Sequence, residues 1–187
     1  MATAVQKSEL VAAAHRHRAA DMLIKGRYVD TDAAEFHGCS VGCMLRDVHP
    51  SMSLDDLYEV ENKHREVAEH FGYPEWLALL QDTIFEGLPS PEHQDWHVQL
   101  ADALALLPDD HNWQATLHRV HAAILRISYL TAGSAQEAVK TVLDLHERAG
   151  RGEDVSAKLW SAARSAAESA AWSAARSAAE SAARSAA

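Results

Sequence analysis

The sequence His37-Gly38-Cys39-Ser40-Val41-Gly42-Cys43 stands between a first helical segment and a longer run of helices. This Gly/Cys stretch holds both cysteines of the 187-residue chain and two of its eight glycines. Glycine permits tight turns and close approach between backbone segments. We therefore expect the Gly/Cys stretch to be a tight turn around which the fold is arranged, with scaffold, surface and tail elsewhere.

Beyond the Gly/Cys stretch, apolar residues recur at helical spacing. Ser53 is a good N-cap and Gly72 a typical stop, so one helix is predicted over residues 53–71. Similar signals predict further helices over residues 8–25, 74–86, 91–107, 110–131 and 134–149. The period-2 alternation of a β-strand is lacking. The predicted fold class is all-α, a compact bundle of about six helices followed by a long C-terminal helix.

That C-terminal helix is predicted from a repeat. From Trp160 a tetrad X-Ser-Ala-Ala recurs, with X being Trp, Arg, Glu, Trp, Arg, Glu and Arg in turn. Alanine has the highest helix propensity, and Arg and Glu four residues apart attract each other. Such pairs are Arg164–Glu168, Arg176–Glu180 and Glu180–Arg184. We predict one α-helical domain over residues 1–155 and a Ser/Ala-rich helical tail over residues 156–187, which is either a plain extension or an arm for docking or self-association.

The net charge and the length of the apolar runs limit which partners and locations are expected. The net charge is −10, and residues 30–110 carry eighteen acidic against three basic residues. An acidic surface repels phosphate backbones, so nucleic acid is not an expected partner. Apolar runs fall short of the ~18 residues of a membrane span, and the start of the chain has no apolar signal-peptide core. Two cysteines without such a signal are typical of a reducing compartment, so a cytoplasmic location is expected.

The two cysteines are the first candidates for chemistry. Four residues apart on a helix, they would lie on one face. Together with two histidines they supply four nitrogen and sulfur ligands within thirteen residues, which is enough for a tetrahedral zinc site. This candidate metal set is His37, Cys39, Cys43 and His49, although its spacing matches no common zinc module.

Three other interpretations of the Gly/Cys stretch stay open. A cysteine at a helix N-terminus has a lowered pKa, and His37 could act as its base, as in a thiol-based redox enzyme. Backbone amides in a glycine-containing turn could bind a phosphate or carboxylate of a small ligand. The two cysteines could also be small buried residues of a packed turn.

Acids and histidines on other helices add candidates. Glu61 and His64 share a helix face, as do His118 and His121. Glu86 is an acid at a helix C-terminus, where it opposes the helix dipole, and such a broken local rule can mark a functional position. A small-molecule or metal pocket is therefore predicted from six residues: Gly38, Cys39, Gly42, Cys43, His64 and Glu86.

Two motifs and the tail resemble those of a group of hypothetical proteins of bacteria and phages. The motifs are Gly-Cys-x-Val-Gly-Cys, here residues 38–43, and Ile-Phe-Glu-Gly-Leu-Pro, here residues 84–89. The resemblance covers residues of about 15–90 plus the tail, implies a shared fold and carries no assigned activity. The group has a histidine three residues after the second cysteine, where this chain has Arg46, which weakens any metal site that needs a ligand there.

Three function classes follow from these patterns. A small α-helical binding protein with a pocket at the Gly/Cys stretch is favoured. The alternatives are a structural or interaction protein that uses its C-terminal helix, and a thiol-based redox enzyme. An enzyme is disfavoured because the chain has no phosphate-binding loop, dinucleotide fingerprint, nucleophile-elbow serine or HExxH motif.

Overall fold

The computed structural model describes residues 3–33 and 35–185, with side chains up to residue 177. Within these ranges it has nine α-helices and no β-strand, which confirms the predicted all-α class. The helices are α1 (Ala4–Ala19), α2 (Ser40–Val48), α3 (Leu54–Glu59), α4 (Lys63–Phe71), α5 (Glu75–Gly87), α6 (Glu92–Ala105), α7 (Trp113–Thr131), α8 (Gln136–Gly150) and α9 (Ala157–Ser185). A search of the described helices finds none that is long and apolar enough to cross a membrane.

The chain divides into two compact units, Met1–His111 with α1 to α6 and Asn112–Ala187 with α7 to α9. The predicted boundary after residue 155 does not coincide with this division. The helices α7, α8 and α9 group together because α8 packs on both of its neighbours and Ala163 of α9 is buried.

The glycines of the Gly/Cys stretch let two backbone segments touch. A Cβ atom added at Gly42 would lie 1.6 Å from the carbonyl oxygen of Tyr28, and one at Gly38 would lie 2.3 Å from the same oxygen. The segments are also joined by main-chain hydrogen bonds: Ile24 N–H donates to Gly38 O at 2.9 Å, and Gly38 N–H donates to Met22 O at 3.0 Å. The two glycines therefore fix how the loop before α2 is seated against the start of α2.

The first helix differs from its predicted bounds. It begins at Ala4, four residues before the predicted start at Ser8. Thr3 is the N-cap, and its hydroxyl and the Gln6 side chain form a reciprocal capping box that a Ser/Thr-x-x-Gln pattern predicts. The helix ends at Ala19, well before Lys25, and Asp21 then adopts a left-handed φ of 54°.

The helix predicted over residues 53–71 is two helices, α3 and α4. Ser53 caps α3 as predicted, since its side chain accepts a hydrogen bond from Asp56 N–H. The chain leaves the helical conformation at Val60, where φ is −55° and ψ is 122°, and α4 starts after Asn62. A β-branched residue and an asparagine both lower helix propensity, so the sequence contains the break that periodicity alone overlooks.

A chain of buried polar side chains crosses the first unit. His17 Nδ1 lies 3.1 Å from His97 Nε2, and His97 Nδ1 lies 2.7 Å from Ser40 Oγ. Gln81 donates to Ser40 Oγ and accepts a hydrogen bond from the Tyr73 hydroxyl at 3.0 Å. Because buried polar groups are costly unless they are hydrogen-bonded, this hydrogen-bond network specifies how α1, α2, α5 and α6 pack.

The second unit is built on an antiparallel pair of helices. Arg119 of α7 donates to Gly150 O near the end of α8 at 2.8 Å, and Arg126 forms a 2.8 Å ion pair with Glu147. The tail is helical as predicted, since α9 runs over Ala157–Ser185. The predicted pairs that include Glu180 or Arg184 lie outside the described side chains.

Candidate functional site

A cavity of about 280 Å³ opens beside the Gly/Cys stretch. Of the residues that the structure describes, those lining it are Gly26, Arg27, Tyr28, Cys39, Asp82 and Glu86. Cys39 Sγ and one carboxylate oxygen from each of Asp82 and Glu86 all lie within 4.8 Å of one another. The two acids are four residues apart on α5 and therefore share one helix face, while the sulfur comes from the start of α2.

Asp82 is hydrogen-bonded at both carboxylate oxygens. The Tyr28 hydroxyl donates to Oδ2 at 3.0 Å, and His64 Nε2 lies 3.2 Å from the same oxygen. The Cys39 thiol donates to Oδ1 at 3.4 Å. Burial acts to raise the pKa of Asp82, but the hydrogen bonds from these three partners outweigh it and hold the pKa below its usual range. Asp82 is therefore a carboxylate at neutral pH, oriented from two sides.

Glu86 is held by Gly26, a loop residue that lines the same cavity. Its Oε2 atom accepts a hydrogen bond from Gly26 N–H at 2.8 Å. Lys25, the residue before, donates to Leu88 O at 2.6 Å, just beyond the end of α5. These contacts explain how an acid is tolerated at a helix C-terminus, since a backbone amide binds its carboxylate and a lysine binds a carbonyl just beyond the helix end.

Cys39 is the N-cap of α2, and its Sγ atom accepts a hydrogen bond from Gly42 N–H at 3.4 Å. Burial, followed by the negative charge of Asp82, raises the pKa of the Cys39 thiol well above its ordinary value. The lowered pKa expected at a helix N-terminus is therefore wrong here, because burial and the nearby carboxylate outweigh the amide contacts. Burial also raises the pKa of Cys43. Both sulfurs are thiols at neutral pH.

The four ligands predicted for a zinc site do not come together: His37, Cys39, Cys43 and His49. His37 Nδ1 is 3.0 Å from Glu35 O, and His49 Nε2 pairs with Glu66. Cys43 is fully buried and donates to the main-chain carbonyls of Met22 and Gly38, which precede α2. The two cysteines form no disulfide with each other. Cys39 precedes the helix and its thiol contacts Asp82, whereas Cys43 lies in the first turns and its thiol contacts main-chain carbonyls.

The six predicted pocket residues have three different positions. Cys39 and Glu86 line the cavity, and His64 reaches it through Asp82. The two glycines, Gly38 and Gly42, make the backbone contact with Tyr28, while Cys43 faces the core.

Two central residues of the site, Asp82 and Tyr28, were not among the sequence-based candidates. Asp82 lies four residues before Glu86, so helical spacing from the acid already singled out would have found it. Tyr28 carries no comparable signal, because it comes from a loop whose position depends on the Gly38 and Gly42 contacts.

No protein-family model, curated protein or solved structure matches this chain. The fold and the site define an all-α protein with a thiol and two carboxylates converging on a cavity. The resemblance to the bacterial and phage group through residues 38–43 and 84–89 stays a prediction.

Proposed function

We propose that this chain binds a divalent transition-metal ion, zinc being the best match, through Cys39, Asp82 and Glu86. The observation that carries the proposal is the convergence of one sulfur and two carboxylate oxygens within 4.8 Å, beside a cavity of about 280 Å³. The pocket predicted at the Gly/Cys stretch is here proposed to bind a metal ion. The proposed ligands come from two segments, the start of α2 and α5, whereas the predicted zinc ligands all lie within residues 37–49.

The hydrogen bonds around the carboxylates support this assignment. Asp82 Oδ2 is held by Tyr28 and His64, whereas Oδ1 faces the cysteine sulfur. Glu86 Oε2 is held by a backbone amide, which leaves Oε1 for a ligand. Metal-binding carboxylates are commonly oriented by such outer hydrogen bonds. These neighbours hold the two carboxylates beside the cavity.

The donor types favour zinc over magnesium or calcium. A thiolate is a soft ligand that selects zinc and similar ions, whereas magnesium and calcium require oxygen ligands. A bound ion deprotonates a coordinating thiol, so the raised pKa of Cys39 predicts that binding releases a proton. Three protein ligands leave a fourth position for water or an external ligand entering from the cavity.

Cobalt(II) provides the test, because a cobalt–thiolate bond gives a near-ultraviolet charge-transfer band that imidazole or carboxylate ligands do not give. The untagged full chain is freed of metal and titrated with Co²⁺. Glu86→Gln is expected to weaken Co²⁺ binding at this band at least about tenfold, because a ligand is lost. Glu92→Gln, an exposed acid in the first turn of α6, is the matched control and should leave the titration unchanged. Equal midpoints for the two variants would contradict the proposal.

A second proposed function is self-association through residues 160–187, with a second copy of this chain as the partner. Trp172 is 78% exposed on α9, whereas Trp160 packs against histidines of the second unit. Arg and Glu alternate along the tetrad, so an antiparallel copy would set opposite charges against each other. Thiol-based redox chemistry stays a prediction.

Truncation after Ala171 tests self-association while retaining Trp160 and the buried Ala163. The full chain is expected to be larger than a monomer in sedimentation, and the truncated chain to be monomeric. Trp172→Ala is the point variant, and it should weaken the association in the same direction. An identical oligomeric state for the full and truncated chains would exclude the arm.

A further inference from the structure

We infer a second metal site, formed by three histidines of the second unit: His118 and His121 of α7 and His146 of α8. One ring nitrogen from each lies within 4.8 Å of the other two. These residues share nothing with the Cys39 site, and the ligand class is a first-row divalent ion such as Zn²⁺, which imidazole nitrogens bind well.

The spacing on the helices brings the rings together. His118 and His121 are three residues apart and therefore share a face of α7. His146 reaches the same face from α8, which packs antiparallel to α7. Its ring contacts both partners, with centroids 5.1 Å from that of His118 and 4.8 Å from that of His121.

The nitrogen–nitrogen distance fits two ligands of one ion. His118 Nδ1 lies 3.0 Å from His146 Nδ1. Two nitrogens bound at 2.0–2.1 Å to a tetrahedral ion lie roughly 3.3 Å apart, so a small rotation of either ring admits the ion. Without an ion, one of these two nitrogens must carry a proton for the contact to be a hydrogen bond.

Neighbouring side chains orient the rings. The Gln114 side-chain nitrogen Nε2 lies 3.3 Å from His118 Nε2, and exchanging the amide oxygen and nitrogen, which are nearly isosteric, makes Gln114 the acceptor of the His118 N–H. Trp160 of α9 stacks on His118 with the ring planes 14° apart and meets His146 edge-on. A cavity of about 300 Å³ borders His118 and Trp160. Such outer contacts are typical of histidines that ligate metals.

The protonation states agree with this geometry. Burial and the other two histidines lower the pKa of His146 to about 4. Burial and His121 also lower the pKa of His118. These two imidazoles are neutral at pH 7, which is the form that binds a metal ion.

The test uses the untagged full chain with Cys39→Ser, so that the thiol of the first site is absent. In this parent, His121→Cys exchanges an exposed imidazole for a thiol at the histidine site. Co²⁺ is expected to give a thiolate charge-transfer band with the His121→Cys chain and none with the parent. A folded His121→Cys chain without that band overturns the inference. Because the parent already lacks Cys39, failure of the Cys39 proposal does not alter this outcome.

Affinity supplies the second measurement. In the same parent, His121→Ala is expected to weaken Zn²⁺ binding at least about tenfold. His15→Ala removes an exposed histidine of the first unit and should leave the affinity unchanged. Equal affinities for the parent and His121→Ala overturn the site.

Fluorescence of the same Cys39→Ser parent gives a readout that leaves all three histidines in place. Bound Co²⁺ is expected to quench Trp160, whose ring centroid lies 5.5 Å from that of His118. Trp160→Phe should therefore lose most of the quenching, and Trp172→Phe, at an exposed tail position, should retain it. Equal quenching in both variants overturns the site.

Discussion

Cys39 Sγ lies 3.4 Å from Asp82 Oδ1, and this contact joins the N-cap residue of α2 to the middle of α5. The cysteine is held there by Gly42 N–H, and the aspartate by Tyr28 and His64. The hydrogen bond therefore depends on the seating of the loop before α2, which the glycines of the Gly/Cys stretch make possible.

Gly42→Ala tests that seating. Its Cβ atom would lie 1.6 Å from Tyr28 O, a clash with backbone that only a shift of a segment relieves. We expect a loss of at least ~3 kcal/mol in the free energy of unfolding measured in urea. Gly87→Ala is the matched control: apart from its chain neighbours and its own helix backbone, no described atom lies within 4 Å of its added Cβ, so a change within ~1 kcal/mol is expected. Similar losses for both variants would contradict the close-approach explanation.

Tyr28→Phe tests the outer hydrogen bond to Asp82. The substitution removes the 3.0 Å contact to Oδ2 and leaves the thiol and both carboxylates in place. We expect Co²⁺ binding, followed at the thiolate band, to weaken by about 10- to 100-fold, as is usual for outer-shell partners. Tyr58→Phe, at an exposed tyrosine of α3, should have no effect. If both variants bind like the unmodified chain, Tyr28 does not orient the site.

His97 predicts a pH dependence of stability. Burial and then the charge on His17 lower the pKa of His97 to about 3, below its ordinary value of 6.5, while Asp47 acts in the opposite direction. Between pH 6.5 and 3 the unfolded chain binds this proton and the folded chain does not. Stability therefore falls as the pH is lowered through this window, by up to ~1.4 kcal/mol per pH unit for this group.

His97→Gln measures this contribution. Its free energy of unfolding should vary less with pH between 6.5 and 4 than that of the unmodified chain. Asp47 adds a slope of the same sign at lower pH, since contacts with His17 and Arg16 outweigh its burial and hold its pKa below the usual range. His15→Gln, at an exposed histidine, is the control and should keep the original slope. Parallel pH profiles for all three chains would exclude His97 as the source.

Helical periodicity and capping signals were sufficient to predict the fold class and most of the helices. They failed at Val60, because a break of a few residues keeps the apolar spacing on both sides nearly in phase. Thr3 and Gln6 form a capping box, so α1 begins before the start at Ser8 that the sequence predicts.

The site was predictable where its residues are close in sequence or break a local rule. Cys39 stood out by composition and Glu86 by its place at a helix end. The partners of Asp82 come from three other segments, which only tertiary packing brings together. His146 was overlooked for the same reason, because it is 25 residues after His121 and meets it across two helices.

Cys39, and not Cys43, is the proposed sulfur ligand of the metal ion, together with Asp82 and Glu86. The most direct measurement is a Co²⁺ titration of three untagged full chains: the unmodified sequence, Cys39→Ser and Cys43→Ser. Cys43 is the matched control because it is equally buried but donates to main-chain carbonyls. We expect the near-ultraviolet thiolate band with the unmodified chain and with Cys43→Ser, and its loss with Cys39→Ser. Absence of the band in the unmodified chain, or its persistence in Cys39→Ser, would contradict the metal site.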